Sequence, residues 1–188
     1  MHMVKTLGKL MTIPEFLNWA QKQPRGRYEL VRGEVIAMAP ERARHALTKH
    51  RIARVLEDAV RNTGLDCTVF PDGMTVVIDE HTAYEPDALV QCGRAIDMDS
   101  IVVEDPLIVV EVLSPTNALI DMTEKLVDYF GVESIIHYLI VDTKRRTVTH
   151  HQRGAGEKDI ATRILRDGTL SLDPPGLEVN VVDLFFKE

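Results

Sequence analysis

Apolar positions recur along this chain with two different periods, and the switches between them mark its elements. "TIPE" at Thr12–Glu15 reads as a capping box with proline in the first turn. It opens a helix to about Gln21, in which Phe16 and Trp19 fall at helical spacing as core anchors. "YELVRGEVIAMAP" alternates instead and predicts a β-hairpin turning near Arg32–Gly33. Over 42–62 the helical period returns: Leu47, Ile52, Val55, Leu56 and Val60 share a face, and Gly64 ends it. Strands are predicted at about 66–70, 74–79 and 86–91, then at 106–113, where an apolar run from Leu107 to Leu113 is broken by Glu111. Ser114–Asn117 stops that strand and offers a cap to a helix over 118–130, closed by Gly131. "IIHYLIVD" is a further apolar strand, "RTVTHHQ" turns back from it, and 160–187 adds two or three short strands with a turn at Gly168. The order predicts a mixed α/β (α+β) domain: a central sheet whose middle strands are covered on both sides.

Composition narrows the class. With 188 residues, 45% of them hydrophobic, the chain can bury one sizeable core, so a single domain over 1–188 with an ordered part from about 12 to 186 is expected. It contains no run of about 18 apolar residues and no apolar signal core, which points to a cytoplasmic protein without a membrane partner. Cys67 and Cys92 lie far apart with no C-x-x-C pair; reduced thiols are expected, and neither reads as a zinc ligand. The net charge of −7 excludes a generic, whole-surface nucleic-acid binder. Yet "ERARHALTKHRIAR" at 41–54 sets Arg42, Arg44, Lys49, Arg51 and Arg54 against Glu41 alone, with His45 and His50 beside them. That face is either solvated or tracks phosphates. Lys144-Arg145-Arg146 forms a second basic cluster at a predicted turn.

Glu111 poses the chemical question. A buried acid costs several kcal/mol unless it is paired, protonated or metal-bound. Asp87 follows a proline and opens an apolar strand. If the two strands are neighbours, both acids converge at one sheet end. Two such carboxylates, with the Val112 carbonyl beside them, suit Mg²⁺ or Mn²⁺. On the next helix Leu119, Met122, Leu126, Tyr129 and Phe130 make an apolar stripe with Lys125 at its border. Lys125 either pairs with Asp121 on the surface or reaches over the sheet edge to the acids. His150-His151 is expected on an exposed edge strand and lacks the spacing of a metal motif. There is no Gly-rich phosphate loop and no G-x-S-x-G elbow.

The ordered set Pro86-Asp87, "VVEVLSPT" at Val109–Thr116, then Asp121, Lys125 and Tyr129, resembles the signature of the PD-(D/E)XK nuclease superfamily. Together with "YELVRGEVIAMAP", His45, "FGVESIIHYLIVD" and "LEVNVVDLF", it is closest to the Uma family (DUF820) of restriction-endonuclease-like proteins. The resemblance implies a restriction-endonuclease-like mixed sheet flanked by helices, and divalent-metal-dependent hydrolysis of DNA phosphodiester bonds. Asp87 and Glu111 match the two metal-binding acids. The superfamily lysine, two residues after the second acid, is replaced by Leu113, and Lys125 resembles a lysine moved onto the following helix. Glu34 matches the family's N-terminal glutamate: it either completes the metal shell or is a turn-flanking surface charge; Glu29 is the weaker candidate, because its alternation with Tyr28 and Leu30 suits a solvent face. Arg42, Arg44, His45 and Lys49 would then contact duplex DNA, and cutting both strands is simplest for a homodimer. Two other readings stand beside this one. Leu113 can mark a non-catalytic module that binds nucleic acid or protein, or the acids can be a purely structural pair.

Overall fold

The computed structural model describes residues 10–113, 119–154, 156 and 159–186. Helix α1 (Ile13–Ala20) starts at Thr12, whose backbone N–H donates to the Glu15 carboxylate at 2.9 Å. Its inner face, Ile13 and Phe16, lies against the hairpin β1 (Tyr28–Val31) and β2 (Glu34–Ala37). Arg32 and Gly33 both take positive φ, 49° and 81°, the backbone demanded by a two-residue turn that matches strand twist. Helix α2 (Ala43–Thr63) follows and ends on Gly64 at φ 67°, a left-handed cap that spares a side chain strain. Next come β3 (Cys67–Pro71), β4 (Val76–Asp79), β5 (Thr82–Tyr84), β6 (Ala88–Cys92) and β7 (Pro106–Val112). Helix α3 (Leu119–Gly131) crosses to β8 (His137–Asp142), and β9 (Thr147–Arg153), β10 (Ile160–Leu165), β11 (Thr169–Leu172) and β12 (Leu177–Asn180) complete the strands before a 3₁₀ turn at Val181–Leu184.

The central sheet has the order β10-β9-β8-β7-β6-β3 and is mixed. Only β7 and β8 run parallel, joined by the α3 crossover; their neighbours are antiparallel. Alternate residues of the middle strands enter two cores. Ala88, Val90, Ile108, Val110, Leu139 and Val141 meet Ile52 and Leu56 of α2 on one face. Leu89, Val109, Tyr138 and Ile140 meet Tyr129 of α3 and Tyr84 on the other. Both faces are therefore covered, which is why β7 reads as an apolar run with Glu111 as its one ionisable residue.

Several expectations change. The strands of the N-terminal half divide: β2-β1-β5-β4 form a separate antiparallel sheet, and the three-residue β5 was too short to be read from the pattern. Leu47 is 54% exposed, one position off the buried face that carries Ile52 and Leu56. Cys67 and Cys92 are opposite one another in the β3–β6 register and form a disulfide, so the expected reduced thiols are corrected. Their separation of 25 residues closes once β3 folds back on β6. His150 and His151 do not lie on an exposed edge: β9 sits inside the sheet between β8 and β10, and both rings are buried. His137 donates or accepts one hydrogen bond with His150 at 2.9 Å, and Thr162 bonds His151 at 2.8 Å. The Ser114–Asn117 cap lies outside the described residues, as does the Asp121 side chain proposed to pair with Lys125.

Candidate active site

The register of β6 on β7 places Ala88 opposite Val110, so the next pair toward the sheet end is Asp87 and Glu111. The Asp87 N–H donates to the Val110 carbonyl at 2.9 Å, and the Val112 N–H donates to Asp87 Oδ2 at 2.7 Å. This anchoring turns the Asp87 carboxylate across the end of β7, where it is only 4% exposed. Glu111, on the same face as Val109, points under α3 and is 9% exposed.

Two layers of side chains meet these acids. From α3, the Lys125 ammonium donates to Glu111 Oε1 at 3.0 Å and to Glu29 Oε1 at 2.9 Å. One helical turn later the Tyr129 hydroxyl donates to the same Glu111 oxygen at 2.8 Å. Among the described residues both bonds to Glu111 fall on Oε1. The Tyr84 ring lies 4.7 Å below the ammonium, and its hydroxyl donates to Asp128. From α2, His45 Nε2 donates to the Val112 carbonyl at 2.9 Å and stands 3.6 Å from Asp87 Oδ2. Lys49 donates to Glu41 and Asp72 and stands 3.6 Å from Asp87 Oδ1. Arg27 closes the outer side, bonding Glu85 at 2.8 Å and also Asp72.

The fixed charges in this network do not balance. Among the described residues, six carboxylates (Glu29, Glu41, Asp72, Glu85, Asp87, Glu111) face three permanent cations (Arg27, Lys49, Lys125), a surplus of three negative charges when all are ionised. The protonation equilibria register it. Burial pushes Glu111 up to about 7, with Lys125 opposing and Asp87 and Glu29 adding to the rise. Burial also raises Asp87, against the Val112 N–H bond, His45 and Lys49. Burial opposes the charge on Lys125 too, but Glu111 and Glu29 outweigh it and hold its pKa well above the ordinary lysine range. The same ion pair therefore leaves opposite marks on its members: Lys125 faces two carboxylates, whereas Glu111 faces one ammonium and further acids.

Hard oxygen donors with surplus negative charge are what a small divalent cation requires. Asp87 and Glu111 supply carboxylates, and the Val112 carbonyl keeps a second lone pair beside its bond to His45. Glu41, His45 and Asp87 also each offer a donor atom within 4.8 Å of the others. In the neutral ring, donation from His45 Nε2 leaves Nδ1 with a lone pair; that atom is buried, has no hydrogen-bond partner among the described residues and stands 3.8 Å from Glu41.

The sequence-predicted residues are distributed unevenly over this site. Asp87, Glu111 and Lys125 come together. Glu34 does not join them: it is the exposed first residue of β2, the edge strand of its sheet, one strand further out than β1. Glu29 on β1 takes the inner place. Alternation with Leu30 separates its two faces correctly, but the face expected in solvent is covered by the site, and the Glu29 side chain is only 12% exposed. Arg42 and Arg44 are exposed at the start of α2. His45 and Lys49 are not on that outer face; both turn inward to Asp87, and Lys49 is 3% exposed. Glu41, His45 and Lys49 recur at intervals of four, as do Lys125 and Tyr129, a spacing in the sequence that foretells one shared face. Asp72, Glu85 and Arg27 carry no comparable signal.

Known proteins share this arrangement of elements. The structure of a protein described as a putative nuclease belonging to DUF820, from Anabaena variabilis ATCC 29413, superimposes with a TM-score of 0.71. The match covers 93% of this chain and 97% of that one at 17% identity, a likeness of fold. An uncharacterized protein of Synechocystis sp. (sll1609) is 25% identical over 166 residues, 87% of this chain and 92% of its own length. The model of the family Uma2, described as "Putative restriction endonuclease", matches residues 13–183. That span runs from the first turn of α1 to the final 3₁₀ turn and includes every acid at the sheet end, so the chain belongs to the Uma2 family.

Proposed function

We propose that this chain is a divalent-metal-dependent endonuclease that hydrolyses DNA phosphodiester bonds. The observation that carries the proposal is the desolvated pair Asp87–Glu111, left with surplus negative charge that its lysines do not cancel. Asp87, Glu111 and the Val112 carbonyl are the residues that would hold Mg²⁺ or Mn²⁺. When bound, such an ion draws in a phosphate oxygen and acidifies a water molecule beside it.

The remaining chemistry falls to the chain's own side chains. An ammonium has three N–H donors, and Lys125 spends two on Glu111 and Glu29. Among the described residues the ammonium has only the Tyr84 ring, 4.7 Å away, beside these two acceptors, and its remaining donor would serve the charge that develops on the phosphoryl oxygens. Lys125 thus stands at the second acid although residue 113 is leucine, which favours a retained active site over a module that has lost it. Tyr129 fixes the Glu111 carboxylate, and His45 fixes the Val112 carbonyl. DNA would be held along Arg42 and Arg44 at the start of α2 and along the Lys144–Arg146 turn. That turn follows β8, which is paired in parallel with β7 through Val112–Val141, and so lies at the same sheet end as the acids.

The test is Mg²⁺-dependent nicking of supercoiled plasmid by the parent and by Asp87→Ala and Glu111→Ala. Both variants should lose cleavage while keeping the circular dichroism of the parent. A variant of either acid that cuts as fast as the parent refutes the assignment.

A further inference from the structure

Lys49 occupies a position where a helix of this pattern should carry an apolar residue. It lies three, four and seven residues before Ile52, Ala53 and Leu56, all buried, and is itself 3% exposed. Burying an ammonium costs several kcal/mol unless it is well paired. Here the pairing is unusually complete: Glu41 and Asp72 accept its protons, and Asp87 Oδ1 stands 3.6 Å away. Two of those three acids, Glu41 and Asp87, belong with His45 to the group whose donor atoms lie within 4.8 Å of one another. The buried Nδ1 of His45, 3.8 Å from Glu41 and without a hydrogen-bond partner among the described residues, faces the same group. Two carboxylates and one imidazole are donors that suit a divalent ion, with water filling its remaining positions. The lysine ammonium stands at two of its three members.

We infer that Lys49 is a resident cation filling the place of a second divalent ion beside Asp87, so that the centre binds one metal and uses a side chain where a two-metal site would use another. The inference rests on the reading of Asp87 and Glu111 as metal ligands. Lys49 is then a positioning residue: it acts through Asp87, steadying the carboxylate from the α2 side while the metal engages it from the Glu111 side. A fixed single charge in that place keeps the site occupied on the α2 side at any metal concentration. It also removes the need to recruit two ions before substrate is cut.

Calorimetric titration with Mn²⁺ tests this by counting ions per chain. The parent should bind one. Lys49→Met should bind two, and Lys49→Met with His45→Ala should return to one, because the imidazole ligand is then gone. Lys49→Arg, which keeps the charge, should stay at one. If Lys49→Met does not fold with three uncompensated acids, the charge-balanced pair Lys49→Met/Asp72→Asn replaces it, with the same expectation of two, since Asp72 is outside the ligand group. A parent that binds one ion and a folded lysine variant that also binds one overturn the inference and leave the metal reading intact. A parent that binds two overturns the inference as well. A parent that binds none overturns the metal reading, and the inference with it.

Discussion

Replacing Glu111 with glutamine should make the metal-free protein more stable, although it removes one partner of the ion pair with Lys125. Burial beside Asp87 and Glu29 lifts the Glu111 carboxyl from an ordinary 4.5 to about 7. At ~1.4 kcal/mol for each pH unit, ionising it in the folded chain costs roughly 3 kcal/mol more than in the unfolded chain. A raised carboxyl pKa means the folded state binds the proton more tightly. Its contribution is therefore fully present below about pH 4.5 and is lost as pH rises through about 7. Glutamine imitates the protonated acid: its amide oxygen can still accept from Tyr129 and Lys125, and it never ionises. Urea unfolding in EDTA at pH 5 and pH 8 measures the effect. Parent and Glu111→Gln should have similar stability at pH 5, and at pH 8 the variant should be the more stable by up to about 3 kcal/mol. Mn²⁺ at a thousandfold excess over Kd should reverse the order, because ion bound only to the folded parent then adds about 4.1 kcal/mol. A parent that exceeds Glu111→Gln by more than about 1 kcal/mol at pH 8 without metal refutes the reasoning. It would show that Glu111 serves Lys125 as a structural ion pair.

The same geometry gives four further expectations. Mn²⁺ affinity, followed by calorimetry, should fall about tenfold for each pH unit below about 7 as the proton on Glu111 competes with the ion; a flat profile between pH 5.5 and 7 would count against Glu111 as a ligand. Lys125→Met should retain Mn²⁺ binding but slow plasmid nicking by roughly a hundredfold or more, the scale of losing one charge-stabilising donor, and unchanged turnover would reduce Lys125 to an ion-pair partner. Tyr129→Phe removes one hydrogen bond to a buried charged group and should cost about 1–3 kcal/mol in urea unfolding; a loss below about 0.5 kcal/mol would show the bond to be idle. Arg44→Ala should weaken DNA binding for all sequences alike and lower the slope of log affinity against log salt by about 1, whereas an unaltered slope would place DNA elsewhere.

The fold was legible wherever burial writes a period into the chain. α2 and α3 show it at 3.6 residues, β7 and β8 as mainly apolar runs, and the observed bounds of Ala43–Thr63 lie one residue from the expected 42–62. Periodicity says which residues share a face, not what lies against that face. Hence β9 was expected at an edge, although His150 and His151 are buried between β8 and β10. Hence also the two-sheet division was missed: β1, β2, β4 and β5 have the pattern of any half-buried strand, and only their pairing separates them from the central sheet. Cys67 and Cys92 failed for the same reason, since a cross-strand contact depends on register, which composition does not encode.

The site divides along a similar line, and the division is physical. Asp87, Glu111 and Lys125 stood out because each breaks an apolar context, and an ionisable group inside such a context needs a reason to be there. Lys49 breaks its context as sharply, beside Ile52, Ala53 and Leu56 on the inward side of α2, yet it was grouped with Arg42 and Arg44 because basic residues crowd that stretch of sequence. Charge density along the chain is blind to helix phase: 42 and 44 emerge into solvent, while 41, 45 and 49, spaced by four, converge on Asp87. Glu29 was obscured by the converse assumption that the polar face of an alternating strand meets water. In a sheet-end site the polar face can instead meet another polar face, and the charges found there are the ones that cannot be solvated. Such a site draws its ligands from residues that are polar by identity and buried by position, so the search that finds it weighs each charged residue by the face it occupies before counting how many lie nearby.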